Sequence, residues 1–393
     1  MRLTKAAVAG SALCFCVVAR AVYAPIPEQE QSQRVNYSIE SGMTYNTNIF
    51  GAATQPIASW VYELSPDIKF NGNVSDATFV SAEFHPTLDY FDDRPGQKTL
   101  YSQAISGRVA SKLADTSVID LSDAYSYDQN PEVLLNGVPV NTNQTLQSNQ
   151  FDGRYTFTPV EKLDLVLKAR SVYYDYTNET LGDLLNRYEN TYGLEFDYAT
   201  LPTLKLAGEY RHEDTDYIDD PGQNNKHTDF LMAGFDYAAG PKLTASVRVG
   251  AQYRHYEGGI PDQTSPYAEA SVKYDYAKGS FVSAGYAYTF EETSNPQLFL
   301  DEKVNRMFVN IQHALSPLVV ASASLDYEPA ALDGRPPQVG ISEDSTHAGA
   351  ALTYLLTKNW TVSASYDYDF VDSGISNRGM NRSRYGVSGT VVF

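Results

Sequence analysis

Apolar and polar residues alternate with a period of two along almost the whole chain. From Leu243 to Arg254 every odd position is apolar or aromatic, whereas every even position is polar or glycine. The same alternation runs through 163–173, 192–198 and 360–370, and no comparable stretch repeats at helical spacing. A period of two places alternate side chains on opposite faces of a β-strand, so the pattern predicts strands with one dry and one wet face.

The connections between these segments are of two kinds. Eighteen alternating segments can be counted, with starts that include Leu184, Val304 and Ser345. Connections after even-numbered segments are tight, whereas those after odd-numbered segments are mostly longer, as at 130–143 and 329–344. Short periplasmic turns alternating with longer outer loops are typical of transmembrane β-barrels. We therefore predict an all-β fold, a single transmembrane antiparallel up-and-down barrel of about 18 strands over residues 35–393, with 16 strands as the alternative count.

The composition excludes several other classes of protein. A mean hydropathy of −0.35 rules out a polytopic helical membrane protein, which needs apolar runs of about 20 residues. A net charge of −19 argues against nucleic-acid binding, because Lys and Arg are what neutralise phosphates. Two cysteines cannot build a disulfide scaffold. The 30 tyrosines suit strands and membrane interfaces, where one end of the ring is dry and the other wet.

Residues 1–24 have the layout of a secretory signal peptide. Arg2 and Lys5 form a basic start, residues 6–18 are apolar or small, and Ala24 ends a small-residue cleavage site. Cleavage removes both cysteines and leaves 26 basic against 48 acidic residues, a net charge of −22. Residues 25–34 then form a periplasmic N-terminal segment that is too short to be a plug domain. We expect an exported protein of the bacterial outer membrane, with membrane lipid, lipopolysaccharide and the barrel-insertion machinery as partners.

Aromatic residues close many of the predicted strands. Same-face aromatics at both strand ends, with Val, Leu and Ala between them, make two girdles around an apolar band, whereas cross-strand aromatic pairing in an ordinary sheet is the alternative. The predicted membrane-interface girdle comprises Tyr155, Phe157, Phe196, Tyr198, Phe235, Tyr237, Tyr274, Tyr276, Tyr366 and Tyr368. The chain ends by alternating to a terminal Phe393, which resembles the signal read by the insertion machinery.

A barrel of 16 to 18 strands leaves an aqueous channel, and its predicted wet face is charged unevenly. The basic residues of this face concentrate on the sixth to eleventh strands as Arg154, Lys168, Arg170, Arg187, Lys205, Arg211, Arg248 and Arg254. The opposite wall is rich in acidic residues, namely Glu40, Glu63, Asp67, Glu83, Asp89, Asp120, Asp326, Asp367 and Asp369.

The two charged arcs have two interpretations. A basic arc facing an acidic arc sets a field across the pore, which orients polar solutes and sets a charge preference. Cross-strand ion pairing that braces the wall is the alternative, and such pairs are individually weak. The inner aromatics Tyr267, Phe281 and Phe308 are candidates for stacking on sugar rings. The connections at 130–143 and 329–344 are candidates for constrictions that fold inward.

The sequence contains none of the common catalytic or metal-binding patterns. It has no G-x-S-x-G and no H-E-x-x-H, and its six histidines are scattered. The acidic pairs Asp92-Asp93 and Asp219-Asp220 are interpreted as solvated turn residues rather than Ca²⁺ ligands. We therefore predict no enzymatic activity, no catalytic residues, no metal and no cofactor.

The first predicted strand carries a family resemblance. It contains Tyr45-Asn46-Thr47-Asn48-Ile49-Phe50, and a run of Tyr-ended hairpins follows to the terminal Phe. This sequence resembles the putative beta-barrel porin-2 family of Gram-negative outer membranes over nearly the whole mature chain. The resemblance implies a barrel and an association with exopolysaccharide export, and it implies no catalytic residues.

Two function classes remain. The first is a porin-like channel that passes small polar solutes or carbohydrate, including exopolysaccharide. The second is a structural or adhesive outer-membrane barrel whose outer loops bind a partner without transport. A wide barrel with a charged lumen favours the channel, and the sequence leaves the oligomeric state open.

Overall fold

Eighteen antiparallel strands of 12 to 18 residues account for the alternating segments. The computed structural model describes residues 34–129, 144–219, 224–293, 295–376 and 378–393. The strands are β1 (Val35–Asn46), β2 (Ser59–Ser75), β3 (Thr78–Phe91), β4 (Thr99–Ala114), β5 (Ser117–Asp128), β6 (Leu146–Val160), β7 (Leu163–Tyr176), β8 (Arg187–Leu201), β9 (Leu204–Tyr217), β10 (Lys226–Ala239), β11 (Leu243–Tyr256), β12 (Gln263–Ala277), β13 (Ser280–Glu291), β14 (Phe299–Ser316), β15 (Val319–Gly334), β16 (Ile341–Leu355), β17 (Trp360–Ser373) and β18 (Met380–Val392). One short helix, α1 (Glu179–Leu185), lies between β7 and β8.

Pairing between the first and last strands closes the sheet into a barrel. β1 and β18 pair from Ser38 opposite Val392 to Asn46 opposite Arg384. Every other strand pairs with its neighbours in sequence, so the topology is up-and-down and the predicted 18-stranded barrel is confirmed. Because the strand number is even, β1 begins and β18 ends at the rim that carries the short turns.

The alternation assigns each side chain to the lumen or to the outer surface. On β1 the exposed odd positions face outward, whereas Glu40 and the other even positions face inward. Large apolar side chains such as Leu167, Val249 and Leu352 are half exposed on the outer surface. Such an apolar band is what lipid covers in a membrane barrel. The buried positions of β6 to β14 are instead largely polar or charged, so the interior of the barrel is a polar lumen.

Three predicted strand starts differ from the structure at the long-loop rim. Leu184 lies in α1 instead of opening a strand, and β8 begins at Arg187. β14 begins at Phe299 rather than Val304, and β16 begins at Ile341 rather than Ser345. Near this rim some positions on both faces are buried, as at 299–302, so the apolar–polar alternation that marks a strand is lost.

The proposed inward-folding connection at 329–344 is largely strand. Pro329 pairs with Asp344 and Leu332 pairs with Ile341, which leaves only residues 335–340 as a connection. The expected inward fold holds only for the start of the remaining connection, because Arg335, just after β15, donates a hydrogen bond of 2.8 Å to Asn224, just before β10, five strand spacings away. The other candidate, residues 130–143, lies outside the described residues, as do the predicted signal peptide (1–24) and residues 25–33. No helix in the described ranges is long and apolar enough to cross a membrane.

Candidate functional site: the charged lumen

The barrel encloses a cavity of about 690 Å³ toward its short-turn rim. Its lining includes six cationic and six carboxylate side chains. They are Arg154, Lys168, Lys205, Arg211, Arg248, Lys273, Asp164, Glu195, Asp197, Glu209, Asp236 and Glu269. The charges of the lining therefore balance, although the chain as a whole is strongly acidic.

A ladder of buried ion pairs forms one side of the cavity. Lys168 on β7 contacts Glu195 on β8, and its Nζ lies 3.3 Å from Oε2 of Glu209 on β9. Glu209 also accepts a hydrogen bond from Arg211 at 3.0 Å. Arg248 on β11 donates to Glu195 at 2.6 Å. Burying any one of these charges alone is unfavourable, so the five side chains stabilise one another in place.

Small residues let Arg248 reach across the wall. Arg248 on β11 stands in register with Gly234 on β10, which stands in register with Ala207 on β9. Glu195 lies one strand further, on β8. Because neither intervening residue has bulk, the guanidinium has room to span this distance and complete the ladder.

Seven of the eight cations predicted on the basic arc are ion-paired. The pairs outside the ladder are Arg170 with Asp152, Arg187 with Glu189, Lys205 with Asp164, and Arg254 with Glu292 and Asp301. Arg154, which also lines the cavity, has no carboxylate partner within the described ranges. The basic arc is therefore a network of ion pairs with Arg154 as its unpaired cation in the described ranges, and not a surface of uncompensated positive charge.

The predicted acidic arc also faces the lumen, and several of its members have cationic partners. Asp67 and Glu83 share Lys69, whose Nζ lies 3.0 Å from a carboxylate oxygen of each. Other contacts pair Asp120 with Arg108, and Asp369 with His347, Arg382 and Arg384. The other members, Glu40, Glu63, Asp89, Asp326 and Asp367, project from the same face of their strands.

An apolar cluster of Phe230, Met232 and Tyr267 lies on the lumen side toward the long-loop rim. The rings of Phe230 and Tyr267 meet edge to face with centroids 5.5 Å apart. The Arg211 guanidinium carbon lies 5.5 Å from the Phe230 centroid, within cation–π range. Because Tyr267 is buried, with only 2% of its surface exposed, its ring offers no open platform for a sugar.

A second cluster of buried charges lies toward the long-loop rim. Lys226 Nζ lies 2.9 Å from both Asp301 Oδ1 and Glu292 Oε2. Arg254 contacts the same two carboxylates, at 2.5 Å to Asp301 and 3.2 Å to Glu292. Tyr256 donates a hydrogen bond to Asp301. We call Lys226, Arg254, Glu292 and Asp301 the outer charge cluster.

The outer charge cluster shows that the end of β14 leans into the lumen. Lys226 belongs to β10 and Asp301 to β14, which are four strand spacings apart in the wall. At about 4.8 Å per spacing that distance is roughly 19 Å, too far for a lysine and an aspartate to meet along the wall. Lys226 Nζ also donates to the Leu300 carbonyl at 2.9 Å. The described part of the 292–301 segment therefore narrows the lumen at its outer end, where it is fixed by buried charges.

Glu292 follows the last residue of β13 and is ionised in this cluster. Burial alone would raise the pKa of its carboxyl. The positive charges of Lys226 and Arg254, and then of Arg187, overcome that effect and lower the pKa to about 2. The carboxylate also accepts a hydrogen bond of 2.8 Å from Tyr217.

The helix α1 also lies on the lumen side of the barrel wall. Its residues Leu181 and Leu185 pack with Leu146, Val172, Tyr174 and Tyr176, which lie on the lumen faces of β6 and β7. Asn178 caps the helix by accepting from the Leu181 amide. Arg187 donates to the Leu185 carbonyl at 3.1 Å. The helix therefore lies against the inner wall near the outer mouth of the barrel.

The ten girdle residues all project from the outer surface. Seven are exposed and three, Tyr155, Tyr276 and Tyr368, are half-buried. Those of β6, β8, β10 and β12 lie near the short-turn ends of adjacent even-numbered strands, so they follow one another around that rim. Phe393 is exposed as well, and its amide donates to the Tyr37 carbonyl at 2.9 Å.

One group of carboxylates is close enough to hold a cation. Glu195, Asp197 and Asp236 line the cavity with oxygens within 4.8 Å of one another. Arg248 donates to Glu195 and to Asp236, so protein cations already balance much of this charge. The lumen can therefore present both charge signs to a passing solute at close range.

Sequence reasoning named Arg254 but missed Lys226, Glu292, Asp301 and α1. The helix had a local signal, because Asn178-Glu179 is a capping sequence and Leu181, Leu184 and Leu185 recur at helical spacing. Glu292 and Asp301 had no local sequence signal, because they lie in a short stretch without alternation. Their partners are 38 to 75 residues away in sequence.

The chain was compared with known proteins. The family model described as "Putative beta-barrel porin 2" matches residues 34–393. Solved structures with a similar fold include OpdK of Pseudomonas aeruginosa with vanillate (9% identity, 91% of this chain and 99% of that chain, TM-score 0.47) and a BenF-like porin of Pseudomonas fluorescens Pf-5 (10%, 91% and 99%, 0.49). No curated protein sequence matches the chain. The ligands of the solved structures belong to those proteins and are not assigned here.

Proposed function

Because the chain belongs to the Putative beta-barrel porin 2 family of porin-like outer-membrane channels, we propose that its lumen passes small polar solutes rather than long polymers. The observation that carries the proposal is the succession of a charge-balanced cavity, a ladder of ion pairs and an outer constriction at 292–301 along one lumen. Fixed charges of both signs favour solutes with polar or charged groups. A narrowed outer end disfavours a wide polymer.

A polar solute that enters the lumen exchanges part of its hydration water for contacts with fixed charged side chains of the wall. Arg154 and the carboxylates around Arg248 present opposite charges across the cavity. Beyond the cavity, Arg211 and the apolar cluster of Phe230, Met232 and Tyr267 are packed together and expose almost no surface to the lumen. Passage then depends on the free space beside the outer charge cluster, so this cluster sets the size limit.

Planar-bilayer recording and liposome swelling test the proposal together. We expect open-channel conductance from the refolded chain, and swelling rates that fall steeply as the sugars or amino acids offered become larger. Rapid passage of long oligosaccharides would favour a carbohydrate or exopolysaccharide conduit. Absence of any conductance would favour the structural or adhesive barrel, whose outer loops bind a partner.

We propose in addition that residues 1–24 are removed on export and that Phe393 is read during insertion. The exposed Phe393 ring at the end of β18 is accessible to a partner. The mass of the mature protein tests the cleavage after Ala24. Deletion of Phe393 is expected to lower the amount of folded barrel in the outer membrane, where lipid and lipopolysaccharide surround it, without changing synthesis.

A further inference from the structure

Three histidines stand side by side on the outer surface of the barrel. His212, His227 and His255 come from the adjacent strands β9, β10 and β11. His227 lies directly opposite His255, with ring centroids 4.8 Å apart, and its centroid lies 5.7 Å from that of His212. Their sequence neighbours on β10 and β11, such as Lys226 and Arg254, face the lumen, so the imidazoles face outward.

The row lies near the long-loop rim. His227 is the second residue of β10 and His255 is the last but one of β11. The tyrosines Tyr210 and Tyr253 are exposed on the same surface, one step closer to the middle of the barrel. The histidines therefore lie beyond the apolar band, where water and dissolved ions have access.

Carboxylates hold the two outer histidines of the row. Nδ1 of His212 lies 2.8 Å from Oδ1 of Asp229, and Nδ1 of His255 lies 2.6 Å from Oδ1 of Asp262. A carboxylate on one ring nitrogen orients an imidazole and raises its basicity, which prepares the other nitrogen of His255 to bind a metal, whereas Nε2 of His212 contacts Asp214.

We propose that His212, His227 and His255 form a binding site for a divalent transition-metal ion of the Zn²⁺ class. Imidazole nitrogens suit Zn²⁺, Cu²⁺ and Ni²⁺, and Zn–N bonds of about 2.0–2.1 Å place two ligated rings at roughly the spacing seen here. Within the described ranges the three rings do not yet offer nitrogens within 4.8 Å of one another. Binding of one ion by all three therefore requires the imidazoles to rotate toward a common point.

Asp214 supplies the fourth ligand. It stands opposite His227 in the sheet, and its Oδ1 lies 3.2 Å from Nε2 of His212. Three imidazoles and one carboxylate complete a tetrahedral set. Ca²⁺ and Mg²⁺ prefer oxygen ligands in larger number, so the site discriminates against them.

The site is tested by treating the untagged, folded full chain with a chelator and then titrating it with Zn²⁺. We expect one Zn²⁺ per chain by calorimetry, and a weakening of at least about tenfold in His227→Ala and in His255→Ala. Asp262→Asn, which removes only the orienting carboxylate, is expected to weaken binding by about 10–100-fold. His313→Ala is the matched control, because His313 lies alone on the outer surface beside Tyr276 at the other rim.

Heat-dependent gel mobility establishes that each variant is a folded barrel. Equal Zn²⁺ affinity in the wild type, His227→Ala and His313→Ala would overturn the proposal, as would absence of binding to the wild type. Displacement of Zn²⁺ by equimolar Ca²⁺ would show that carboxylates rather than imidazoles bind the ion, and would also overturn the proposal. The outcome is independent of channel activity.

Discussion

Lys226 at the outer end of β10 and Asp301 near the outer end of β14 share an ion pair of 2.9 Å across the lumen, although three strands separate them in the wall. Both side chains are buried. This contact converts the outer end of a wide barrel into a constriction, because the segment carrying Asp301 has to leave the wall to make it. The pathway through this channel is therefore set by side-chain charge as much as by strand number.

Asp301→Asn is expected to release the constriction. The change removes one of the two carboxylates that Lys226 and Arg254 share and leaves Glu292 as the other, so the two buried cations lose part of their charge compensation. We expect higher single-channel conductance and faster uptake of larger solutes. Asp333→Asn is the control, because its pair with Lys303 lies at the same rim but is about one-third exposed. Equal conductance in the wild type and Asp301→Asn would show that this segment does not limit passage.

The constriction is expected to resist mild acid. The folded-state pKa of Glu292 is about 2, below its ordinary value of 4.5. Its ion pairs therefore contribute full stability above about pH 4.5, and that contribution is lost as the pH falls through about 2. The largest solute that passes should stay the same size from neutral pH to about pH 4.5 and become larger only in stronger acid. Opening with a midpoint above pH 4.5 would contradict this assignment, and Glu292→Gln should remove the acid response.

Arg154→Ala is expected to shift ion selectivity toward cations. Six positive and six negative side chains line the cavity, so the wild type should discriminate weakly between anions and cations. Loss of Arg154 leaves an excess of carboxylates near the pathway. The reversal potential under a salt gradient measures the shift, which is screened at high salt. Arg154→Lys keeps the charge and should behave as the wild type, and an unchanged potential in Arg154→Ala would place selectivity elsewhere.

Lys168→Met is expected to destabilise the barrel far more than Lys69→Met. Each lysine bridges two carboxylates on the lumen wall, but Lys168 is 5% exposed and Lys69 is 40% exposed. Removing Lys168 takes the shared cation from the buried Glu195 and Glu209, which keep Arg248 and Arg211, so the loss stays below the roughly 3–5 kcal/mol of a fully uncompensated buried charge. The exposed bridge contributes about 1 kcal/mol or less. Urea unfolding in lipid vesicles measures both, and similar losses would mean that solvent reaches Lys168.

Leu185→Ala is expected to detach α1 from the wall. Leu185 is 1% exposed among the lumen-facing apolar residues of β6 and β7, and truncating a buried leucine costs about 2–5 kcal/mol. Protease added from outside should then cut between β7 and β8. The neighbouring Leu184 is only partly buried, so Leu184→Ala should leave the helix protected. Equal protection in both variants would show that the apolar contact does not hold α1.

The sequence predicted the barrel well because its signal is local. A lipid face and a wet face impose a period of two on every spanning strand, and short and long connections alternate with the direction of the chain. Eighteen strands and the inward position of both charged arcs could be derived from these patterns, as could the outward position of the girdle. The same reasoning failed at Leu184, which lies in α1, and at the start of β14, where residues 299–302 are buried on both faces and the period disappears.

The sequence by itself determined the closed barrel, its polar lumen and the uneven distribution of charge around it, since each follows from which neighbour a residue has along a strand. Only the tertiary structure decided which charges meet. The pairs Lys226–Asp301 and Arg248–Glu195 join residues 75 and 53 positions apart, and they form because strands fold around a common interior. Pairing there turns arcs of apparent charge into a balanced cavity with a constricted outer end, because a buried charge is tolerated only beside its opposite.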